Sequence, residues 1–390
     1  MEGGDEVIRD AQRFQPFSDE PIQVLDDSGS WIAPFACDLD ADDVLGLYHH
    51  LVLGRLVDER LVRLQRLGKS SFVAPAAGHE GAQVGVAHAL EVGRDWVYPY
   101  YRDHVLALAM GWSPPELFAQ AMGSRADSAR GRQMPAHPGS RSLKLFTAAS
   151  PIASHVPAAV GTAIAQKLAG SGDVTICSFG DGATSEGDWH AGVNFAGAQG
   201  APVVFVCQNN RYAISVDLAH QTGSDDIASK AHAYGMPGYR VDGMDVLAVT
   251  LLLREVIGAA RAGFGPALVE TLVYRYGPHS SADDDSVYRS AEEVTAWRER
   301  DPITRLRAYL EGRGLWGETR EQELRARLAG EIDAAVAAAE AAGAPPLGWM
   351  FDDVLSTPTP QLRKQRERLW AVRRAAGETS DDDADPAQGG

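Results

Sequence analysis

The sequence predicts an α/β fold in which a parallel sheet is doubly wound, with helices on both of its faces. Three short apolar runs rich in β-branched residues, at 174–179, 202–210 and 267–277, have the composition of buried strands. Helical patterns at 187–199 and 245–262 lie between them. Strands buried on both faces that alternate with helices are typical of a parallel sheet covered on both sides.

Four parts follow one another along the 390 residues. Residues 1–37 are mixed polar and proline-containing without a sustained period, so we predict an N-terminal arm that becomes ordered against a partner. Residues 38–345 form the predicted α/β domain, and residues 346–377 a C-terminal helical segment that includes a strongly basic helix. Residues 378–390 are predicted to be a disordered acidic tail.

Helices open the α/β domain. Apolar residues at three- and four-residue spacing after Asp38 predict a long amphipathic helix that ends near Gly68. Two helices of small residues are predicted at 78–90 and 158–169. The segment 123–150 between them is poor in apolar residues and rich in Gly, Arg, Ser and Pro, and a connection this long inside a compact domain is usually functional.

The composition excludes several classes of function. The formal net charge is −17, which argues against binding nucleic acid or an anionic membrane surface. No apolar run reaches the roughly 20 residues that span a bilayer. The first ten residues are acidic and polar, unlike a signal or transit peptide, so we expect a cytoplasmic protein.

The strongest functional signal lies at two strand ends. Gly180-Asp181-Gly182 ends the first predicted strand, and Asn210 ends the second, 29 residues after Asp181. One strand-helix-strand unit needs about 30 residues, so both groups would lie at the ligand-binding edge of a parallel sheet. A carboxylate, an amide oxygen and a backbone carbonyl near Tyr212 suit Mg²⁺ together with two diphosphate oxygens.

The glycines and the following helix suit a phosphate in the same way. Gly180 and Gly182 permit close backbone approach and unusual φ angles, and a helix starting after Gly182 would point its positive end at the diphosphate. A Gly-Asp-Gly turn or an Asn pair alone is common, but the two at this spacing are specific. The dinucleotide pattern GxGxxG is absent, since residues 180–185 are GDGATS, and so is a P-loop.

These segments resemble the alpha subunits of thiamine-diphosphate-dependent 2-oxo acid dehydrogenases. The resemblance runs from about residue 40 to residue 375 and identifies the fold as the thiamine-diphosphate-binding type. Besides GDGATSEGDWHAGVNFA and CQNNRYAIS, it includes YYRDH (100–104), GRQMPAH (131–137), SPIASHVPAAVG (150–161), YRYGPHSSADDDSVYRS (274–290) and QLRKQ (361–365).

The resemblance implies a role for each matching residue. Asp181, Asn210 and the Tyr212 carbonyl would hold Mg²⁺. Arg102 would bind the diphosphate, and Ile152 would be the apolar wedge that keeps the cofactor bent. The other cofactor contacts would be Tyr101, Ser150, Gly180, Gly182, Ala183 and His279. His279, on a polar loop, matches the active-site histidine and is suited to be a proton donor or a phosphate ligand. The loop would be ordered by Arg275, Asp283, Tyr288 and Arg289.

The implied activity is decarboxylation of a small 2-oxo acid and transfer of the acyl group to a lipoyl group on an acyltransferase component. A glutamate needed beside the cofactor's aminopyrimidine would come from a separate beta subunit, in an α₂β₂ heterotetramer. The loop and QLRKQ segments are closest to the branched-chain (2-oxoisovalerate) type. The alternatives are a pyruvate or acetoin dehydrogenase alpha subunit and, from another class, a non-enzymatic α/β binding protein.

Three positions depart from the family pattern, and two others leave a question open. Gln208 replaces an Arg or Glu that is common beside the Asn pair, and Pro278 precedes the loop histidine. His155 replaces a glutamine that some relatives use at a potassium site, which disfavours a monovalent cation here. Ser280 and Ser290 match positions phosphorylated in some relatives, and the sequence alone leaves their modification open.

Overall fold

A computed structural model describes residues 13–352 and 355–377. Its main sheet has five strands in the order β1-β2-β3-β7-β6, and all neighbouring strands are parallel. In chain order these are β1 (Trp96–Tyr98), β2 (Thr175–Gly180), β3 (Val203–Asn209), β6 (Gly238–Asp242) and β7 (Ala267–Leu272), with a small antiparallel pair, β4 (Tyr212–Ala213) and β5 (Val216–Asp217), after β3.

The α-helices of the described residues are, in chain order, α1 (Ala41–Arg66), α2 (Glu80–Ala89), α3 (His104–Ala109), α4 (Pro114–Ala121), α5 (Val156–Ala169), α6 (Gly187–Gln199), α7 (Leu218–Gln221), α8 (Val246–Arg261), α9 (Ala291–Arg298), α10 (Pro302–Gly312), α11 (Glu318–Ala341) and α12 (Pro360–Ala375). None of the helices in these ranges is long and apolar enough to cross a membrane.

Helices cover both faces of the sheet. Val204 and Val206 of β3 belong to one buried cluster with the leucines of α8, whereas Phe205 and Cys207 belong to a second cluster with Trp189 of α6. The two helices connect neighbouring parallel strands in opposite directions across the sheet, and right-handed crossovers therefore place them on opposite faces. The prediction of a doubly wound parallel sheet is confirmed.

The third predicted strand is shorter than expected. Strand β7 ends at Leu272 rather than at residue 277. Beyond it the extended chain leaves the sheet, because Tyr274 and Tyr276 donate their backbone N–H groups to the carbonyls of Gly78 and Ala77. Strands β1 and β6 are additional to the three that the sequence predicts.

The described part of the N-terminal arm packs on its own chain. Val24 and Leu25 are fully buried, and their backbone N–H groups donate to Asp245 Oδ2 at 2.8 and 2.7 Å. The expectation that the arm becomes ordered only against a partner is therefore wrong for residues 13–37. Asp245 and the sheet of the same chain provide the contacts that order this segment. Residues 1–12 and the predicted acidic tail, 378–390, lie outside the described residues.

Irregular segments lie along both outer strands of the sheet. Ile22 of the arm forms a parallel bridge with Val241 of β6. On the opposite side, Leu145 forms a parallel bridge with Val97 of β1, and Ala149 bridges Tyr100 just beyond it. Within the long connection 123–150, which contains no helix or named strand, residues 145–149 thus continue the hydrogen bonding of the sheet.

Candidate active site

A cavity of about 230 Å³ opens at the carboxyl ends of β2 and β3. Ten of the eleven residues expected to contact a cofactor line it: Tyr101, Arg102, Ile152, Gly180, Asp181, Gly182, Ala183, Asn210, Tyr212 and His279. Ser150 is not among the lining residues. Its Oγ lies 2.5 Å from His137 Nε2, so this hydroxyl contacts the neighbouring loop instead.

The sheet register explains why Asp181 and Asn210 share the cavity. Gly180 is paired with Gln208 in the parallel ladder, so β2 and β3 end at the same level. Asp181 is buried, and its Oδ2 has no hydrogen-bond partner among the described residues. Burial raises the pKa of this carboxyl to about 6, against the lowering effect of backbone N–H groups and of Arg275. An unsatisfied buried oxygen of this kind is suited to bind a cation.

The turn after β2 differs from the expected one. Residues Asp181–Ser185 form a 3₁₀ turn, and α6 begins only at Gly187, so no α-helix starts after Gly182. Neither Gly180 nor Gly182 has a positive φ. Gly182 is required by close packing, because an added Cβ would lie 2.9 Å from Ala213 Cβ. The turn therefore brings backbone, rather than a helix end, to the cavity.

The two asparagines after β3 have different partners. Asn209 points away from the cavity, donating Nδ2–H to Glu270 Oε1 at 2.6 Å and accepting the Arg211 N–H at 2.9 Å, which fixes the turn. Asn210 lines the cavity, with Nδ2 3.2 Å from His79 Nε2 and Oδ1 accepting the Tyr212 N–H at 3.2 Å. Only the second asparagine is placed to bind a ligand.

Two buried arginines lie near these groups, and neither has a carboxylate within salt-bridge distance among the described residues. Arg102 donates to the carbonyls of Pro75, at 2.6 Å, and His279, at 3.1 Å. Arg275 donates to the Ile214 carbonyl at 2.8 Å. Both are 1% exposed, neither forms a salt bridge within the described residues, and Arg102 Nε and Arg275 Nε and Nη1 have no partner there. Buried unpaired cations are costly, so this arrangement fits an anionic ligand such as a diphosphate.

His279 is held at the cavity by the loop that follows β7. Its backbone N–H donates to Asp283 Oδ2 at 2.7 Å, and its Nδ1 lies 3.3 Å from Arg102 Nη2. Burial, together with Arg102 and Arg275, lowers the pKa of His279 to about 3. The neutral ring accepts from Arg102 at Nδ1, and therefore carries its proton on Nε2.

The residues expected to order this loop form one network. Tyr288 donates its hydroxyl to Asp283 Oδ2 at 2.6 Å and accepts from Arg275 Nη2 at 3.3 Å. Arg289 donates to the Arg275 carbonyl at 2.5 Å and forms a salt bridge with Asp285. Beyond them, the Ser290 hydroxyl accepts the Glu293 N–H at the start of α9.

Some of the non-glycine residues with a left-handed backbone lie at or next to the cavity. Ala153, Arg211 and Ile214 have φ values of 61°, 71° and 58°, and the first and third line the cavity. A β-branched residue such as Ile214 adopts the left-handed region only when its surroundings enforce it. Such outliers cluster at ligand-binding sites, where the fold holds them in place.

Sequence reasoning missed several residues of the site. Tyr100, His155, Glu186, Ala213 and Ile214 also line the cavity. All of them lie within a recognised motif, and His155 donates from Nε2 to the Ser178 carbonyl, 2.8 Å away. His79 gave no signal at all: it lies in a Gly- and Ala-rich segment, and its complete burial results from tertiary packing. Burial lowers its pKa well below the usual histidine value.

The fold and the cavity define an α/β protein with a site suited to an anionic, diphosphate-like ligand at the end of a parallel sheet. Residues 48–347 match the family model described as "Dehydrogenase E1 component". The chain therefore belongs to the dehydrogenase E1 component family, and membership of this family implies thiamine diphosphate as cofactor.

Individual proteins of similar sequence support this family assignment. The chain is 41% identical over 290 residues to the 2-oxoisovalerate dehydrogenase subunit alpha of Bacillus subtilis, covering 74% of this chain and 88% of that protein. It is 40% identical over 379 residues to the mitochondrial 2-oxoisovalerate dehydrogenase subunit alpha of Homo sapiens, covering 96% and 85%. The mitochondrial subunit of Dictyostelium discoideum is 38% identical over 333 residues, covering 84% and 75%.

Proposed function

We propose that this chain is the alpha subunit of a branched-chain 2-oxo acid dehydrogenase that acts on 2-oxoisovalerate and related acids. The observation that carries the proposal is the cavity that Arg102, Asp181 and Asn210 line together, in a chain about 40% identical to 2-oxoisovalerate dehydrogenase alpha subunits. Those relatives favour the branched-chain activity over the pyruvate or acetoin alternatives. Intact Asp181, Asn210 and His279 argue against a binding protein without activity.

The residues of the cavity fit Mg²⁺ and thiamine diphosphate. Asp181 Oδ2, the Asn210 amide oxygen and the Tyr212 carbonyl would hold the ion, since hard oxygen ligands are those that Mg²⁺ prefers. Arg102, which lines the cavity, would pair with the diphosphate oxygens, and this removes the cost of its buried charge. Arg275, which donates to the carbonyl of the lining residue Ile214, would add positive charge beside the site. When bound, thiamine diphosphate supplies the electron sink for loss of CO₂ from the 2-oxo acid.

Other residues would shape and polarise the site. Ile152 presents an apolar side chain to the cavity and would hold the cofactor bent. The Nε2–H of neutral His279 can donate to the substrate's carboxylate or carbonyl oxygen, because Nδ1 is occupied by Arg102. The buried walls around β2 and β3 exclude water and strengthen these interactions.

The proposed active site is completed by a partner. Asp181 and Glu186 are the carboxylates that line the cavity, and Asp181 is assigned to the metal. A further carboxylate for the aminopyrimidine would come from a beta subunit. Ile152 and Ile214 at the cavity are 45% and 54% exposed, which is consistent with a surface that another chain covers. We propose an α₂β₂ heterotetramer that passes the acyl group to a lipoyl-bearing acyltransferase component.

A reconstituted enzyme tests the proposal. The chain is combined with its beta subunit, and kcat/KM is measured for 2-oxoisovalerate and for pyruvate, with Mg²⁺ or with a chelator. We expect a higher kcat/KM for 2-oxoisovalerate and loss of turnover in the chelator. A preference for pyruvate would instead favour the pyruvate-type alternative, and absence of turnover on any 2-oxo acid, with no cofactor binding, would favour the non-enzymatic class.

A further inference from the structure

His79 is brought to the cavity ligand Asn210 by a close contact of the chain. Gly78, with φ of +93°, packs so tightly that an added Cβ would lie 1.9 Å from the Tyr274 carbonyl oxygen. Only glycine fits there. The next residue, His79, immediately precedes α2, is fully buried, and places its Nε2 3.2 Å from Asn210 Nδ2.

The backbone of Tyr212 decides which way round the Asn210 amide lies. The Tyr212 N–H can only donate, and it points at an Asn210 side-chain atom 3.2 Å away. That atom must be the amide oxygen, so the atom facing His79 is the amide nitrogen. Because the amide nitrogen also only donates, His79 Nε2 must be the acceptor, and the imidazole proton must be on Nδ1.

We propose that His79 is a positioning residue that locks the Asn210 amide in the orientation that presents its oxygen to the metal ion. This inference rests on the proposed Mg²⁺ site. The amide oxygen has two lone pairs and Tyr212 uses one, which leaves the other for the ion. The reverse orientation would bring an NH₂ group to the metal position, where it cannot act as a ligand.

This constraint is needed because the side-chain amide of an asparagine has two nearly equivalent orientations, related by a rotation about its terminal torsion. Without an acceptor at His79, the amide nitrogen would be buried with an unsatisfied hydrogen, and the two orientations would approach each other in free energy. The structure gives His79 Nδ1 no partner within the described residues. A fully buried histidine that leaves one nitrogen unsatisfied is retained here for the contact that its other nitrogen makes.

Cofactor binding to the αβ assembly provides the test. Calorimetric titration with thiamine diphosphate in Mg²⁺ and in chelator is carried out on the wild type, His79→Phe, His79→Gln and His88→Phe. His79→Phe removes the acceptor, and we expect about 10- to 100-fold weaker Mg²⁺-dependent binding, as is usual for groups that orient metal ligands. His79→Gln restores an accepting oxygen and should recover most of the affinity. His88→Phe, near the other end of α2, where the ring contacts His50 rather than Asn210, should bind like the wild type.

A second measurement needs only folded wild type and His79→Gln. The ¹⁵N spectrum of histidine-labelled protein, with His79 assigned by its loss in His79→Gln, should show the Nδ1–H tautomer. An Nε2–H tautomer, or unchanged affinity in His79→Phe with Mg²⁺-dependent binding in the wild type, would overturn the positioning role and leave the proposed function standing. Binding by the wild type that ignores Mg²⁺ would overturn the proposed metal site itself.

Discussion

At the residue scale, the cavity contains groups that lower the stability of the free chain. Asp181 carries a buried oxygen without a partner, and Arg102 carries a buried charge that forms no salt bridge within the described residues. Each group is unfavourable until a ligand satisfies it, so the same atoms that destabilise the empty site provide affinity when it is filled. A trade-off between stability and activity is expected of such a site.

Asp181→Asn should make the free protein more stable at the expense of ligand binding. Folding raises the pKa of Asp181 from 3.8 to about 6, so the ionised carboxylate costs the free protein roughly 3 kcal/mol at pH 7. We expect the variant to be more stable in chelator, measured by denaturant unfolding, and to lose Mg²⁺-dependent cofactor binding.

The pH dependence of the stability gain in Asp181→Asn tests whether ionisation of Asp181 is its cause. Because the folded pKa lies above the unfolded one, wild-type stability should fall, relative to the variant, as pH rises from about 4 to about 6. The gain should be largest above that window and absent below it. A gain that is independent of pH would contradict the assignment to Asp181 ionisation.

Ile214→Asn tests the strain at the cavity. Ile214 has a φ of 58° and is half-exposed, and asparagine tolerates this conformation better than a β-branched residue. We expect an increase in unfolding free energy of about 1 kcal/mol. The matched control is Val216→Asn, two residues later and similarly exposed but with a negative φ, which should show no gain. Equal effects in both variants would mean that Ile214 stores no strain.

At the element scale, the loop after β7 depends on one hydroxyl. Tyr288 connects Asp283, which accepts the His279 N–H, to Arg275. Tyr288→Phe removes this connection and should lower the free energy of local opening by about 1 kcal/mol, or about fivefold in the exchange rate of the His279 amide. Hydrogen exchange over residues 275–290 provides the measurement, with Tyr239→Phe on β6 as a control outside the loop.

Binding of the cofactor should make the same loop more ordered. We expect limited proteolysis within 275–290 of the αβ enzyme to slow when thiamine diphosphate is added, because the diphosphate would pair with Arg102, which contacts His279. Unchanged cleavage would show that this loop does not respond to the ligand. Unchanged exchange in Tyr288→Phe would show that the hydroxyl is not what orders it.

The elements differ in how far they could be predicted from the sequence. Strands β2, β3 and β7 are continuous apolar runs because helices cover both faces, and their burial is visible in composition. Strand β1 is apolar but has only three residues, too few to be recognised as a strand, and β6 (GYRVD) is interrupted by Gly238 and Arg240. Both segments are strands because they pair with longer neighbouring strands, and the local sequence contains no pattern that predicts this pairing.

The residues of the site also differ in how far they could be predicted from the sequence. Asp181 and Asn210 could be placed from strand spacing, and Arg102, Ile152 and His279 from the resemblance. His79 and the left-handed conformation of Ile214 could not, since both result from contacts between segments far apart in sequence. Ser150 contacts His137 and does not line the cavity, a choice of side-chain direction that a motif does not fix, and its contact with the cofactor stays a prediction.

At the scale of the whole molecule, a buried ion pair joins the arm to the C-terminal helices. Arg305 of α10 donates to Asp242 Oδ2 at 2.9 Å and forms a salt bridge with Asp27, and Gln23 also donates to Asp242. Arg305 and Asp242 are each 1% exposed. The arm, the sheet and α10 are therefore expected to unfold together.

Arg305→Leu should cost about 3 kcal/mol or more of unfolding free energy, because it leaves Asp242 with less compensation in a buried site. Arg307→Leu on the same helix removes only partly exposed ion pairs with Glu311 and Glu318, and should cost less than about 1 kcal/mol. Chemical unfolding followed by tryptophan fluorescence compares them. Similar losses in the two variants would contradict a special role for the buried pair.

The irregular segments along β1 and β6 also decide how the chain behaves in a crowded solution. An uncovered outer strand offers unpaired N–H and C=O groups to any other extended chain and promotes aggregation. Ile22 occupies one such edge, and Leu145 and Ala149 occupy the other. Because the second segment continues directly into Ile152 at the cavity, damage that loosens residues 145–149 should produce insoluble protein and an impaired active site together.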